Sequence, residues 1–366
     1  MTALTRAQPP AEHGFPTLSY LQAVERPSEF VDHLRHALLS VGFFNLVDIE
    51  RVLPDWSLRW QEAFAVSRTF FDLPLERKNR IAMINSRHFR GYAANRQETT
   101  AGLPDWREQI DFGPESDPVI PYPPRPQDAI ELSLYGPNLY PQEPSEFAVA
   151  IAQYRERVTR IAETLVRLIG EALSPSPELF SGLFLARDPS RHPPYARLKV
   201  VRYPPVAPDE TGFGVGAHRD GGGLTLLAQD DSGGLQVQTF EGDWLDVAPI
   251  PHALVVNVGQ VLERMSANAF PATTHRVLKT VRATPRLSIP FFFSPPLTTR
   301  LVPLGLDQLH DVVRDRVERG AERTVVSEVE RGDLHAEVYG KSAWAGIKRS
   351  HRAVWDRYYG EDRDRG

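Results

Sequence analysis

Gly212-Phe213-Gly214-Val215-Gly216-Ala217-His218-Arg219-Asp220-Gly221-Gly222-Gly223 opens a stretch, ending near Pro296, whose reading decides the fold. Around and after it the chain becomes a series of short apolar runs. These are Val200–Tyr203, Leu224–Leu227, Leu235–Gln238, Leu254–Val258, His275–Leu278 and Leu287–Phe293. Each is rich in β-branched or aromatic residues, and turn residues separate them at regular spacing, as in a β-sandwich or barrel. Asp231-Ser232-Gly233-Gly234 is a turn of the kind that needs positive φ. The glycines on both sides of His218 and Asp220 let the backbone bend closely around those two side chains.

Composition narrows the function. The 366 residues are 41% hydrophobic and 24% charged, as in a globular enzyme with ample chain for a large core. The formal net charge is −5, which argues against nucleic acid and against an anionic membrane surface. With no cysteine, disulfides, thiolate metal sites and thiol nucleophiles are excluded, so any metal must be held by His, Asp or Glu. No run approaches the roughly 20 apolar residues of a membrane span. The polar, proline-containing start has no apolar signal core, and a cytoplasmic location is expected.

Outside the β-rich stretch the pattern is mostly helical. Phe30, Leu34, Ala37, Leu38 and Val41 predict an amphipathic helix over 28–41 capped by Ser28, and Phe43–Val47 a strand. Phe15–Leu21 alternates as a short strand, and Leu58–Phe71 reads as a second helix. Phe147, Ile151, Tyr154, Val158, Ile161, Leu165, Leu168 and Ile169 form one apolar stripe, which predicts a helix packed under a sheet. The proline-rich 114–144 segment, with its interspersed Tyr and Leu, is expected as an ordered surface loop. Residues 309–317 and 341–359 are expected as charged C-terminal helices, the second able to close over a site.

The chemistry lies in the spacing of a few residues. His218 and Asp220, two apart on a strand or its end, aim two donors at one point. His275 follows 55 residues after Asp220, enough for several strands to cross the sheet and return. Two imidazoles and one carboxylate occupy one face of a mononuclear non-haem iron(II) and leave three positions open. A 2-oxo acid can take two of these and dioxygen the third. Eleven residues past His275, Arg286-Leu287-Ser288 sets a guanidinium and a hydroxyl on one strand face, where they can clamp the far carboxylate of that acid. His335-Ala336-Glu337 is also a His-x-acid pair, but no third ligand or anion clamp follows it, and it reads as solvated surface. Zinc hydrolysis is the competing use of such ligands, and no His-Glu-x-x-His pattern exists in the chain.

These motifs, together with Phe15-Pro16-Thr17-Leu18, Val41-Gly42-Phe43-Phe44-Asn45-Leu46, Phe89-Arg90-Gly91-Tyr92, Asp105-Trp106-Arg107-Glu108 and Arg202-Tyr203-Pro204-Pro205, resemble the iron(II)/2-oxoglutarate-dependent dioxygenases of the isopenicillin N synthase-like family. The resemblance covers most of the chain. It implies a mainly β fold with flanking helices around a double-stranded β-helix, or jelly roll. It implies an N-terminal region over 15–125, a jelly-roll core over 193–298 and a C-terminal helical segment over 299–366, forming one compact unit. By position His218, Asp220 and His275 correspond to the iron ligands, Arg286 and Ser288 to the oxoglutarate clamp, and Tyr203 to an aromatic that contacts the same cosubstrate. Two positions depart from the family pattern: Val201 stands where Asn is common, and Gly259-Gln260 where Gly-Asp is usual.

The implied cofactors are Fe(II), 2-oxoglutarate and O2, and the implied reaction oxidises a small-molecule substrate with release of succinate and CO2. Hydroxylation, desaturation and cyclisation would use the same residues. An oxoglutarate-independent oxidase of the isopenicillin N synthase type, an ethylene-forming-type enzyme and a jelly-roll binding protein without chemistry are the alternatives. Phe89, Tyr92, Arg107, Lys199, Leu235 and Phe291 are candidate pocket-lining residues. Trp344, Trp355 and Tyr358 mark the C-terminal cover. No nucleic acid or membrane partner is expected, and the chain is expected to be a monomer or weak homo-oligomer.

Overall fold

The computed structural model describes residues 15–100, 103–185, 193–205, 212–279, 284–320 and 337–360. Its strands are β1 Thr17–Ser19, β2 Phe43–Val47, β3 Gly91–Ala93, β4 Thr99–Thr100, β5 Leu103–Pro104, β6 Glu108–Phe112, β7 Tyr195–Tyr203, β8 Phe213–His218, β9 Leu224–Gln229, β10 Leu235–Gln238, β11 Trp244–Asp246, β12 Leu254–Val258, β13 His275–Leu278 and β14 Arg286–Ser294. Eight of them form a large sheet in the order β1-β2-β12-β9-β14-β7-β6-β3, and four form a small sheet in the order β11-β10-β13-β8. Facing sheets of antiparallel strands make the jelly-roll core. Strands from the N-terminal region extend the large sheet at both edges, with β1 pairing parallel to β2.

Because side chains alternate along a strand, the large sheet has two unlike faces. One carries Leu198, Val200, Leu226, Ala228, Ile289, Phe291 and Phe293 into the main apolar core. The helix Phe147–Leu173 covers this face, burying Ile151, Tyr154, Val158, Ile161, Leu165, Leu168 and Ile169 as the stripe required. Each such side chain contributes about 2 kcal/mol on removal from water. The other face looks at the small sheet across a lesser cluster of Phe43, Val201, Tyr203, Val215, Leu235, Val237, Val255 and Val277. The site lies on this inner face.

Several boundaries differ from the sequence reading. The first strand stops at Ser19, because only three residues pair with β2, and Tyr20–Glu25 turns helical. The next helix runs Pro27–Ser40 with proline in its first turn, where the missing N–H costs nothing, so Ser28 lies inside it rather than at its cap. The expected C-terminal helix is two helices, Tyr339–Ser350 and Arg352–Tyr359. His351 breaks them with non-helical φ −128° and ψ 53° and is buried. The 114–144 loop is ordered and buries Leu134 and Tyr135. Among the described residues no helix is long and apolar enough to cross a membrane.

Candidate active site

His218 ends β8 and His275 begins β13, and the two face each other in the antiparallel register of these strands. Asp220 lies beyond the strand, in the glycine turn, so backbone bending rather than strand alternation brings it to the histidines. Donor atoms of His218, Asp220 and His275 all lie within 4.8 Å of one another. Asp220 Oδ1 is 3.8 Å from His218 Nε2 and 3.7 Å from His275 Nε2.

Each histidine is oriented by its own strand. His218 Nδ1 lies 2.9 Å from the Gly216 carbonyl and His275 Nδ1 3.1 Å from the Thr273 carbonyl, in both cases the residue two before. A carbonyl only accepts, so Nδ1 carries the proton and Nε2 presents its lone pair to the shared point. Asp220 is held the same way. Thr225 Oγ1 and Asn257 Nδ2 donate to its Oδ2 at 2.6 and 2.8 Å, leaving Oδ1 toward the histidines. Burial raises the Asp220 pKa, but the two imidazoles and these two hydrogen bonds outweigh it and hold the carboxyl below its usual range. Burial, reinforced by the neighbouring His275, lowers His218 to about 4, so its ring is neutral at pH 7. Two imidazoles with Nε2 toward the shared point and an ionised carboxylate, each with its outer hydrogen bond made, are the donor chemistry of a mononuclear iron(II) site.

The turn carrying Asp220 is clasped from two sides. Gln260 N donates to the Asp220 carbonyl and Gly259 N to the Gly223 carbonyl, each at 2.7 Å. A Cβ on Gly259 would sit 2.3 Å from the Gly222 carbonyl oxygen, so only glycine allows this approach. Arg219 turns away from the site. Its guanidinium pairs with Glu263 and donates to the Ala272 carbonyl at 2.5 Å, tying the turn to the segment that leads into His275.

Deeper on the inner face, Arg286 is opposite Tyr203 and Ser288 opposite Val201 in the β14/β7 register. Arg286 is 1% exposed. It donates to the Gly233 carbonyl at 2.8 Å, to Gln229 Oε1 at 3.1 Å and to Ser288 Oγ at 3.3 Å, and it stacks over Tyr203 at 4.8 Å. Gly233 and Gly234 reach this position with φ of 71° and 86°. Among the described residues no carboxylate pairs with Arg286, and a buried guanidinium without an anion is costly. An incoming carboxylate supplies that anion, which is the fit expected of 2-oxoglutarate. Val201 puts an apolar wall beside Ser288.

Beyond the clamp, β6 and β7 carry a buried ion-pair network on the inner face. Lys199 Nζ contacts Glu98 Oε1 at 2.8 Å and Asp111 Oδ1 at 3.3 Å. Arg107 contacts Glu98 at 3.0 Å and Asp105 at 2.8 Å. Burial disfavours the Glu98 charge, but Lys199 and Arg107 outweigh it and hold its carboxyl well below the usual range.

The structure sorts the expected pocket residues. Lys199, Arg107 and Leu235 are on the inner side. Phe291 points into the helix-covered core, and Tyr92 lies on that same side, its hydroxyl donating to Glu108 at 2.6 Å. Phe89 packs under the C-terminal helices against Trp344, His351 and Tyr359. Trp355 contacts Trp344, and Tyr358 meets Tyr122 of the proline-rich loop. His335 lies outside the described residues, while Glu337 is exposed and pairs with Arg300 at 3.3 Å. Thr225, Asn257, Arg219 and Glu263 escaped the sequence reading, because ordinary strand and helix residues carry no motif. A cavity of about 610 Å³ lined by Glu115, Tyr135, Arg155, Ala196 and Phe293 opens on the opposite, helix-facing side of the sheet and is separate from this site.

A jelly roll with a 2-His-1-carboxylate cluster and a buried arginine clamp defines the class of non-haem iron oxygenases. Residues 195–295 match the 2OG-Fe(II) oxygenase superfamily, and residues 16–143 match the family model described as non-haem dioxygenase in morphine synthesis N-terminal. A 2-oxoglutarate-dependent dioxygenase of Dothideomycetidae sp. is 34% identical over 93% of this chain and 91% of its own length. A homoarginine-6-hydroxylase of Arabidopsis thaliana is 31% identical over 76% of this chain and 80% of its own. Among solved structures, a full-length Neurospora crassa protein in complex with alpha-KG superposes with a TM-score of 0.65 at 23% identity, covering 85% of this chain and 98% of that one. A putative 2OG-Fe(II) oxygenase family protein from Caulobacter crescentus gives 0.68 at 23% identity over 91% and 98%. The chain belongs to the 2OG-Fe(II) oxygenase superfamily. It is an iron(II)/2-oxoglutarate-dependent dioxygenase.

Proposed function

We propose that His218, Asp220 and His275 hold the iron, that Arg286, Ser288 and Tyr203 hold 2-oxoglutarate, and that the enzyme hydroxylates a small polar molecule. The overall reaction consumes the substrate, 2-oxoglutarate and O2 and yields the hydroxylated product, succinate and CO2. Iron(II), when bound, supplies the coupling of dioxygen reduction to 2-oxo-acid decarboxylation and C–H oxidation.

The chain's own residues do the positioning. Asn257 and Thr225 fix the Asp220 carboxylate so that one oxygen faces the histidine nitrogens. The carbonyls of Gly216 and Thr273 fix both ring tautomers. Arg286 offers a planar fork to the distal carboxylate of 2-oxoglutarate, with the Ser288 hydroxyl adding a donor and the Tyr203 ring walling one side. Val201, Val215, Val237 and Val277 exclude water between clamp and triad. The Lys199–Glu98–Arg107 network lies on the substrate side and gives that wall its polarity.

The observation that carries this reading is the pairing, on one inner face, of a tethered two-histidine, one-aspartate cluster with a buried arginine that has no anion among the described residues. All of these residues come from one chain, so we propose a monomer-competent enzyme, active in the cytoplasm where iron(II) and 2-oxoglutarate are supplied. The test is succinate formation from 2-oxoglutarate in air. Iron(II)-dependent succinate, lost in Asp220→Ala and in His275→Ala, is expected; substrate oxidation with no need for 2-oxoglutarate would refute it.

A further inference from the structure

The registers of the large sheet place side chains in rows across its inner face. Asn257 pairs with Thr225, Thr225 with Phe292, and Phe292 with Arg197. The first two of these residues are the donors that hold Asp220. Arg197 therefore lies level with the triad, two strands beyond Thr225, about 10 Å away at a strand spacing of about 4.8 Å. Lys199 and Asp111 pair one row deeper, and Val201 and Gln109 a further row on, beside the oxoglutarate clamp.

Arg197 differs from the other cations on this wall. Lys199 and Arg107 each contact two carboxylates. Arg286 donates to three neighbours. Arg197 makes no ion pair or hydrogen bond with any described residue. Its guanidinium is flanked by two rings, Tyr195 at 5.8 Å and Phe292 at 5.2 Å, which steer it without satisfying its donors. The groups that act on it from a distance are the Tyr195 and Tyr339 hydroxyls and, less strongly, Asp111 and Glu98; neither tyrosine hydrogen-bonds it, and the two acids are engaged elsewhere, Glu98 by Lys199 and Arg107 and Asp111 by Lys199 and Gln109.

A second residue lies within reach of the same charges. His351, at the break between the C-terminal helices, is 6% exposed, and its Nε2 has no hydrogen-bond partner. Its Nδ1 is engaged by Ser350 Oγ at 2.8 Å, and the charges that reach its ring are those of Glu98, Lys199, Asp111 and Arg197. A buried ring nitrogen and a guanidinium, each without a hydrogen-bond partner among the described residues and both within reach of the Glu98 and Asp111 charges, mark a wall with room for a polar group that those residues do not provide.

We propose that Arg197 binds a carboxylate of the organic substrate and that His351 Nε2 lies at the same subsite, so that the enzyme oxidises a small carboxylic acid at a carbon within about 10 Å of its carboxylate. This rests on the reading of His218, Asp220 and His275 as the iron site. The three acids Glu98, Asp105 and Asp111 balance the three bases Lys199, Arg107 and Arg197 in charge. What the subsite lacks is a short-range acceptor, which a planar carboxylate supplies to the arginine fork.

The test uses the full chain loaded with 2-oxoglutarate and Zn(II) in place of iron, so that binding is read without turnover. The probes are hexanoate, 3-phenylpropanoate and N-acetyl-leucine, each beside its methyl ester, followed by ligand-observed NMR. Wild type is expected to favour at least one acid over its ester by about tenfold or more, the worth of one charge-assisted hydrogen bond. Arg197→Gln should bring acid and ester within about threefold of each other, and Arg197→Lys should restore part of the preference, because charge survives without the fork. A merely structural arginine would weaken both ligands together and leave their ratio unchanged, which overturns the proposal. So does wild-type binding of esters equal to acids, or of no acid at all. Succinate formation in the iron-loaded wild type is measured separately, so failure of the iron reading is distinguishable from failure at Arg197.

Discussion

Asn257→Leu tests how the site is held together, because it removes the amide donor to Asp220, along with a long 3.5 Å bond to the Val258 carbonyl, and almost no volume. Asn257 is 3% exposed in β12, and its amide donates to Asp220 Oδ2 at 2.8 Å. The only other side-chain donor to that oxygen among the described residues is Thr225, at 2.6 Å. A hydrogen bond to a charged group contributes about 1.5–3 kcal/mol. Loss of an outer-shell partner weakens metal binding about 10–100-fold, which at about 1.4 kcal/mol per decade is the same range. The two estimates agree because the bond's function is to keep Oδ1 facing the histidine nitrogens. Anaerobic titration with iron(II), followed by calorimetry, should show this loss in a protein whose circular dichroism is unchanged. Thr225→Val should cost a similar amount, and the double variant less than the sum, since the first loss already frees the carboxylate to rotate. Affinity within about twofold of wild type in Asn257→Leu would refute the reasoning and leave the Gln260-to-Asp220 backbone clasp as what orients the carboxylate.

Other expectations follow from the same geometry. Arg286→Met should raise the KM for 2-oxoglutarate by about 30-fold or more in a succinate assay, the loss expected when one partner of a buried charge pair is truncated. Lys199→Met should destabilise the fold by about 3 kcal/mol in urea unfolding, because Glu98 keeps Arg107 while Asp111 loses its cation. His88 is buried, and desolvation lowers its pKa from 6.5 to about 4 while its Nδ1 bonds the Ser133 carbonyl at 2.7 Å. In this window the unfolded chain binds a proton that the folded chain refuses. The contribution to stability is therefore fully present above pH 6.5 and is lost as the pH falls toward 4. Unfolding midpoints of wild type and His88→Asn should converge over that interval; parallel curves would show that His88 does not carry the dependence.

Much of the candidate site is legible in the sequence. His218, Asp220 and His275 stood out because glycines surround the first pair and strand texture surrounds all three. Arg286 and Ser288 stood out because an i, i+2 spacing on a strand puts both on one face. The apolar stripe from Phe147 to Ile169 named the helix that covers the sheet. The residues that steady these groups were not legible. Thr225 and Asn257 look like any polar residues in apolar strands until the β9/β12 register sets them side by side. Tyr92 and Lys199 both looked like pocket residues, yet strand alternation sends the first toward Glu108 under the helices and the second toward Glu98 on the inner wall.

By itself the sequence determined the kind of chemistry and the kind of fold. Ligand types, their spacing and the period of apolar residues are local properties written along the chain. The tertiary structure decided which oxygen of Asp220 faces the histidines, which arginines lack an anion among the described residues and which face of each strand carries the candidate site. Those outcomes depend on pairings between residues far apart in the chain. Arg197 lies 28 residues from Thr225 in sequence, and only the shared row through Phe292 makes them neighbours at one site. A one-residue slip in any of those registers would turn Arg197 to the opposite face of the sheet and into the apolar core.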